Sequence, residues 1–512
     1  MCLILCLCLL IPPEGLASNV ADALVVAISL TKTSSVRPLE PNERDILSIY
    51  DLVYESVVTI DDNYLPQPLL CTYWEQSTNA RTWTFHIRED VNFSDGTPLT
   101  ARDVVATAEA ILARAKDTTT VNKGFYSNLS YFVSSISASD QYTVVVRAER
   151  PYYGLLYAMT FPVLPADRVS ADNPPGTGPY RIETFHPSEY IYLTANTQWW
   201  KNQPRVKSIS FHVENVPSEV IRSYDTAKVD TAVTRSISAS QYRSGTNAFA
   251  VDFRTRQLDC LLMNLSADRL KSKNLRKAIR YAIDVDKIAK NIYMGMVKRT
   301  DTPAIPGTWL YNDNATATLH KDVEEAKRLL ALDDWEDSNQ DGILDKVGSD
   351  GKLVSLNLNL YVYEEPENDV RIETANFIKS ELAEIGINVN ITTMTFTGIK
   401  EKLSAGAFNL ALVSYEMDVC PDYGFMLIGG NTGNYGRYNS SQMTQLCKDL
   451  RTCTTMLEYK NKLFEIQDLF IEDCPLICFF YREGVVLTRL MYTTVRDVRE
   501  YELFRGIESF RP

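Results

Sequence analysis

The chain has 512 residues and a formal net charge of −13, with 45 % hydrophobic and 23 % charged residues. That balance excludes a disordered, collagen-like or coiled-coil chain, and the length predicts two or three domains. An acidic surface without a basic run excludes nucleic acid as a partner, and a mean hydropathy of −0.17 excludes a multi-span membrane protein.

Residues 1–11 read MCLILCLCLLI, an apolar core as long as a signal-peptide h-region. Pro12, Pro13 and Gly15 close it, and small-residue cleavage sites follow at Ala17-Ser18 and Ala21-Asp22-Ala23. About ten apolar residues fall short of the roughly twenty that a spanning helix needs. Residues 1–23 are therefore read as a signal peptide and the chain as exported, periplasmic or attached to the cell surface. A short anchor, a buried strand, or a lipid on Cys2, Cys6 or Cys8 are the alternatives. Beyond that segment lie Cys71, Cys260, Cys420, Cys447, Cys453, Cys474 and Cys478. Their odd number prevents complete internal pairing, while Cys447 with Cys453 and Cys474 with Cys478 are close enough in sequence to pair outside the cytoplasm. His86, His186, His212 and His320 are well separated and no CxxC occurs, so a Cys/His zinc site is not expected.

The elements read as mixed α/β. Residues 24–30 (LVVAISL) form a short apolar strand. Trp83, Phe85 and Ile87 alternate with polar neighbours, the period of a half-buried strand. Asp95-Gly96 is a turn, and Thr100 with Asp103 gives a capping-box pattern that opens a helix through Ile111 and Leu112. Apolar residues from Leu275 to Ile292 recur at helical spacing, predicting one amphipathic helix over 274–293 stopped by Gly295. A second helix is expected over 368–385, stopped by Gly386, with a strand directly after it (Ile387, Val389, Ile391). A helix over 397–403, an apolar strand over 408–414 and a helix over 459–471 follow. Helix and strand alternate in the manner of a sheet flanked by helices, without repeats or long linkers.

The stretch Asp337, Asn339, Asp341, Gly342 and Asp345 places oxygens at positions 1, 3, 5 and 9 of a calcium loop with Gly at 6. Position 12 is Gly348, where a bidentate Glu should stand, so a solvated Asp/Asn turn remains the alternative and no metal is assigned. There is no GxSxG, HExxH or GxxxxGK[ST]. The glycine-rich run 429–434 (GGNTGN) lacks the lysine of a phosphate loop and is read as a plain loop. The many carboxylates show no diagnostic spacing.

Residues 83–105 (WTFHIREDVNFSDGTPLTARDVV) resemble the signature of the family 5 extracellular solute-binding proteins, the peptide- and nickel-receptor type of ABC importers. Further segments agree in order: YESV at 54–57 and PQPL at 66–69, GTGPYR at 176–181 and NTQWW at 196–200, LRKAIRYAID at 275–284, LAEIGI at 382–387 with FNLAL at 408–412, and DCP at 473–475. The resemblance spans about residues 24–500. It implies an α/β, two-lobed clamshell with an additional inserted domain: a discontinuous lobe I (24–52, 176–262 and 482–512), an inserted domain (53–175) and lobe II (263–481), hinged about a ligand.

It also implies a monomeric, non-enzymatic receptor without cofactor, whose partners are a peptide or other small solute and the ABC permease. A nickel chelate, haem or oligosaccharide is the alternative cargo, and a hydrolase or peptide-folding activity on the same scaffold the more distant one. In peptide-binding members the ligand lies extended and pairs with main chain from both lobes. By position, Lys32, Thr33 and Ser34 supply one such segment and Tyr415, Glu416 and Met417 the other. An aspartate beside the second segment holds the ligand's α-ammonium in those members, a charge-assisted bond of about 1.5–3 kcal/mol. Asp418 matches that place and Asp422 competes with it. Asn264 falls near the expected hinge and cleft mouth; Trp309 falls there too, with core packing as its alternative. Trp199 and Trp200 are read as packing.

Overall fold

The computed structural model describes residues 23–30, 35–40, 43–119, 123–244, 249–317, 319–348, 351–365, 368–489 and 498–509. Residues 1–22, nearly all of the expected signal peptide, lie outside the described residues, as do Lys32, Thr33 and Ser34.

Among the described residues one sheet of 11 strands runs through both lobes, ten of them in line and Val297–Arg299 pairing beside Leu476–Thr488. In lobe II its order is Asn388–Met394, Asn357–Tyr363, Leu410–Glu416, then the long strands Phe249–Met263 and Leu476–Thr488. In lobe I it continues with Thr231–Thr234, Ala23–Ser29, Ser208–Glu214, Tyr190–Ala195 and Tyr180–His186. Each half is covered on both faces. In lobe II the helices Lys273–Ala282, Val323–Ala331 and Val370–Ala383 pack one face, and Phe396–Ala405, Ser441–Leu450 and Met456–Asp473 the other. In lobe I, Arg44–Asp51 and Pro217–Asp225 do the same. A parallel pair needs such covering because both its faces are buried. Ala23–Ser29 fits, being parallel to both its neighbours and mostly buried.

The inserted domain has its own core. Its antiparallel sheet runs Cys71–Gln76, Thr82–Ile87, Thr143–Ala148, Val133–Asp140, and the helix Ala101–Lys116 lies against it. Trp83, Phe85 and Ile87 all point inward, as their period of two predicts. Thr100 N–H donates to Asp103 Oδ2 at 2.8 Å, the reciprocal half of the expected capping box.

The chain enters and leaves this domain through two adjacent segments. Gly178 N–H donates to Val53 O and Tyr180 N–H to Leu52 O (2.9 and 3.0 Å). The backbones approach so closely that a Cβ on Gly176 would lie 1.9 Å from Val53 O. This is the physical demand behind the glycines at 176–181. Gly176→Ala should therefore destabilise the protein by roughly 2–3 kcal/mol through overpacking against backbone, read as a lower urea midpoint at unchanged slope. A midpoint within error of the parent would mean that the crossing relaxes.

Two expectations need correction. The predicted helix over 274–293 ends at Ala282; Ile283 is extended, and Asp284 caps a new turn by accepting from Lys287 N–H at 3.0 Å. The apolar spacing carried on through the break because both pieces bury the same face, with Ile279, Ile283, Ile288 and Ile292 in one core. The second concerns the cysteines. All seven described cysteines are free and buried, so neither Cys447/Cys453 nor Cys474/Cys478 is bonded. Cys447 faces the core from a helix, and Cys474, in a left-handed C-cap, gives its Sγ to Arg276 O.

Phe249–Met263 and Leu476–Thr488 pair along their whole length, but their register shifts between Arg254 and Leu258. On the lobe I side of this bulge they pair near Thr231–Thr234; on the lobe II side Phe249–Met263 also takes up Leu410–Glu416. Gly484 lies beside the bulge, where a Cβ would meet the buried Phe253 ring at 2.2 Å. Immediately inside lobe II the same strands carry a buried ion network. Asp259 Oδ2 meets Arg482 Nε at 2.8 Å, and Glu365 Oε1 meets Arg482 Nη2 at 3.0 Å and Arg371 Nη2 at 2.6 Å.

Candidate functional site

Between the inserted domain and lobe II lies a cavity of about 580 Å³. From the inserted domain, Asn128, Tyr131, Phe132, Arg150 and Tyr152 form one wall. The other wall comes from the end of Leu410–Glu416 and the loops beyond it, with Asp418, Asp422, Phe425 and Arg451 as its principal side chains. Contacts bridge the two sides. Tyr153 N–H donates to Cys453 O at 2.8 Å, and Tyr152 OH and Tyr459 OH lie 3.2 Å apart.

The two candidate aspartates differ in what engages them. Asp422 is fully used: Arg451 Nε lies 2.5 Å from its Oδ2, and Oδ1 accepts from Arg451 Nη2 and Gly424 N–H at 3.1 and 2.8 Å. Asp418 stands exposed on the cavity wall and has no ion pair among the described residues. Its Oδ1 accepts from Cys420 N–H at 2.9 Å, and both oxygens accept from Asn128 Nδ2 across the cavity at 3.1 and 3.0 Å. Loss of bulk water around it pushes its carboxyl above the ordinary aspartate range, against the pull of Arg256 and of these hydrogen bonds. The side chain is reachable from the cavity yet poorly solvated, the setting in which a cation is welcomed.

Glu416 also lines the cavity. Its carboxylate accepts from Tyr501 OH at 2.8 Å, and burial with Glu500 nearby pushes its carboxyl up. Its main chain faces outward from the sheet. Met417 N–H donates to Arg256 O at 2.9 Å, and successive residues of a strand present their N–H to opposite sides, so Glu416 N–H points away from Phe249–Met263. On that far side, Asn357–Tyr363 pairs only as far as Leu412. Among the described residues no strand covers the edge of 413–416.

The other expected residues sit as follows. Tyr415 is buried, its OH donating to Gly433 O at 2.8 Å, and Met417 is buried beside it. Asn264 is a correction: it does not line the cavity. It is buried, with Nδ2 spent on Gly406 O and Phe408 O (both 2.9 Å) and Oδ1 accepting from Ser266, so it holds the loop after Phe249–Met263. Trp309 packs in the lobe II core and donates Nε1–H to Tyr64 O at 3.0 Å. Trp199 and Trp200 both donate to the buried Glu55 (3.4 and 2.7 Å). Asp337, Asp341 and Asp345 lie together, in lobe II but apart from the cavity.

Sequence reading missed Arg256, Arg150 and Asn128. Arg256 sits in the bulge between the lobes, its guanidinium 4.6 Å from the Tyr501 ring centroid and 5.3 Å from that of Phe125, near Asp418 and Glu416. Only the register shift, invisible in one strand's sequence, aims it there. Asn128 stands at the N-cap of a four-residue helical turn, Leu129–Phe132, with no motif. Among the described residues no histidine or serine lines the cavity; Cys420 lines it but is buried against Tyr152, and burial pushes its thiol far up. The wall thus presents a carboxylate, cationic guanidinium groups, aromatic rings and a free strand edge. Such a surface suits a zwitterionic, extended ligand.

The family model of the bacterial extracellular solute-binding proteins, family 5, middle region, matches residues 66–437. The oligopeptide-binding protein AppA of Bacillus subtilis is 22 % identical over 457 residues, covering 85 % of this chain and 81 % of that protein. The ABC transporter substrate-binding protein CtaP of Listeria monocytogenes superposes with a TM-score of 0.80 at 19 % identity, over 95 % of this chain and 98 % of that one. NikA of Brucella suis, solved with Fe(III)-EDTA, gives a TM-score of 0.78 at 19 % identity, over 96 % of this chain and 100 % of that one.

Proposed function

The chain belongs to the family 5 bacterial extracellular solute-binding proteins, and from that premise we propose that it is the exported, non-catalytic receptor of an ABC importer. It binds oligopeptides in the cavity between the inserted domain and lobe II and hands them unchanged to the membrane permease. The observation that carries the reading is the pairing of Asp418, open to the cavity and without an ion-pair partner among the described residues, with the uncovered strand edge at Glu416. The α-ammonium of a peptide replaces Asn128 on Asp418, and the peptide main chain extends the edge as an added strand. Lys32, Thr33 and Ser34 are proposed as the facing main-chain segment. Asp422, held by Arg451, shapes the wall.

Lobe I (24–52, 176–262, 482–512), the inserted domain (53–175) and lobe II (263–481) are the moving parts. The bulge at 254–258 and Gly484 are the hinge, which puts the crossing several residues before the boundary at 262. The leader is cleaved, or its cysteine lipidated, and the receptor acts as a monomer.

The charge of Asp418 gives the reading a pH signature. A carboxylate whose free-state pKa is raised must ionise to hold an ammonium, so affinity is full above that pKa and lost as pH falls through it. Peptide affinity should therefore fall on acidification by up to roughly tenfold per pH unit, starting at a higher pH than an ordinary aspartate of about 3.9 would give. Calorimetric titrations across pH check this, and an affinity flat down to pH 4 would contradict it.

Arg150 and Arg256 favour a second cargo, a metal chelate rich in carboxylates. Native mass spectrometry of the freshly purified protein separates the two. A ladder of peptide masses, with thermal shifts for peptides after stripping, supports the first; a metal-bearing organic acid supports the second.

A further inference from the structure

The turn at 337–345 is folded around its own acidic side chains. Asp337 accepts from Asp341 and Gly342 N–H at 3.1 and 3.0 Å, Asn339 Oδ1 from Asp341 N–H at 3.0 Å, and Asp341 Oδ1 from Ile343 N–H at 2.8 Å. One carboxylate oxygen from each of Asp337, Asp341 and Asp345 lies within 4.8 Å of the others. Acidic turns of this kind are common, and these features alone say nothing of a ligand. Asp345 does. It is completely buried (0 % exposed) at the start of the strand Asp345–Val347. Its Oδ2 receives one long bond, from Ser338 Oγ at 3.4 Å, and its Oδ1 has no hydrogen-bond partner among the described residues. A buried carboxylate oxygen without a donor is costly, and two further carboxylates beside it add repulsion. No lysine or arginine forms an ion pair with Asp337, Asp341 or Asp345 among the described residues.

We propose that this cluster is a calcium site: Asp337, Asn339, Asp341 and Asp345 supply side-chain oxygens, the Ile343 carbonyl takes position 7, and water completes the shell. The donor set is oxygen only, which selects a hard cation over zinc or copper. Calcium accepts an irregular shell of six to eight oxygens, whereas magnesium demands a near-ideal octahedron. With Gly348 in place of the bidentate Glu, affinity falls in the range of extracellular calcium modules, on the order of 10⁻⁴–10⁻³ M. The ion neutralises Asp345 and ties the turn to lobe II. Leu344 N–H bonds Gly386 O at 2.9 Å and Leu356 N–H bonds Leu344 O at 2.7 Å, so the loop is anchored at the end of Val370–Ala383 and at the sheet.

The test uses the full chain, stripped with EDTA. Terbium luminescence sensitised by Trp335, two residues before Asp337, should rise on titration and be displaced by millimolar calcium but not by equal magnesium. Calcium at about a hundredfold its dissociation constant should raise Tm by roughly 2–3 °C. Asp341→Ala, at an exposed position, should weaken terbium binding at least tenfold while leaving the melting point in EDTA near the parent's. Asp345→Asn removes the orphan charge, so in EDTA it should melt at or above the parent and show no calcium-dependent rise. Terbium emission unchanged by Asp341→Ala and Asp345→Asn, no calcium shift in the parent, or a shift that persists in both variants would overturn the proposal.

Discussion

Asp418→Asn should weaken peptides with a free amino terminus by about 2–5 kcal/mol, roughly 30- to 5000-fold, and leave N-acetylated peptides nearly untouched. The substitution keeps the shape and an acceptor for Cys420 N–H, removes the charge and turns the other oxygen into an N–H donor. Once the halves close on a peptide, the ammonium and Asp418 are both out of water, and an amide leaves the cation without its counter-charge. The contrast between the two peptide classes separates recognition from folding. Equal losses for both would mean that Asp418 acts by holding the loop, or by bonding Asn128 across the cavity. Asn128→Ala sharpens the comparison. It removes the group that occupies Asp418 in the absence of ligand, so affinity for free-amino peptides should hold or rise. A loss as large as that of Asp418→Asn would show that the contact between them, not the ammonium, is what matters.

Arg371→Met should cost about 3–5 kcal/mol of stability, the second large effect. Arg371 is 2 % exposed, bonds Glu365 at 2.6 Å, and its guanidinium lies 4.2 Å over the Tyr363 ring. Without it, Asp259 and Glu365 share Arg482 alone, two buried carboxylates for one guanidinium. The network also predicts how acid acts on the parent protein. Burial opposes ionisation of Glu365, but Arg371 and Arg482 outweigh it and hold its carboxyl down from 4.5 to about 2. A depressed carboxyl contributes stability that is complete above its unfolded value and is lost as pH falls through the folded one. The parent should therefore lose about 3 kcal/mol between pH 5 and pH 2 from this group. In Arg371→Met that loss should be smaller and should begin at higher pH. Urea unfolding at both pH values measures each quantity, and a cost below about 1 kcal/mol at neutral pH would mean that the two carboxylates find other partners.

Much of the architecture was legible because it is written in short-range patterns. The alternation at Trp83, Phe85 and Ile87, the Thr100–Asp103 cap and the glycine stop at Gly386 each express a local constraint, and each is where the pattern put it. The helix expected over 274–293 failed because apolar period reports which face is buried, not whether the backbone continues; Asp284 preferred to cap. At the site, Asp418 came from the family resemblance, not from local pattern, and the structure places its side chain on the cavity wall. Asp422, four residues on, could not be ranked against it from sequence, since what distinguishes them is Arg451, 29 residues away, which takes one and leaves the other. Arg256 and Asn128 were not legible for the same reason. A bulge brings Arg256 near Asp418 and Glu416, a docking of two domains brings Asn128 to the cavity, and neither leaves a trace in local spacing. Asn264 misled in the opposite direction, a polar residue at a plausible boundary whose amide is consumed by the backbone of its own lobe.

Where a peptide lies decides whether Asp418 and the edge at 413–416 bind it. A crystal structure of the protein with a peptide retained from purification should show the intact chain extended along 413–416. Its amino terminus should lie within hydrogen-bonding distance of Asp418, and its main chain should bond Glu416 N–H and C=O. A ligand seated elsewhere, held only through side chains, or found cleaved would contradict it.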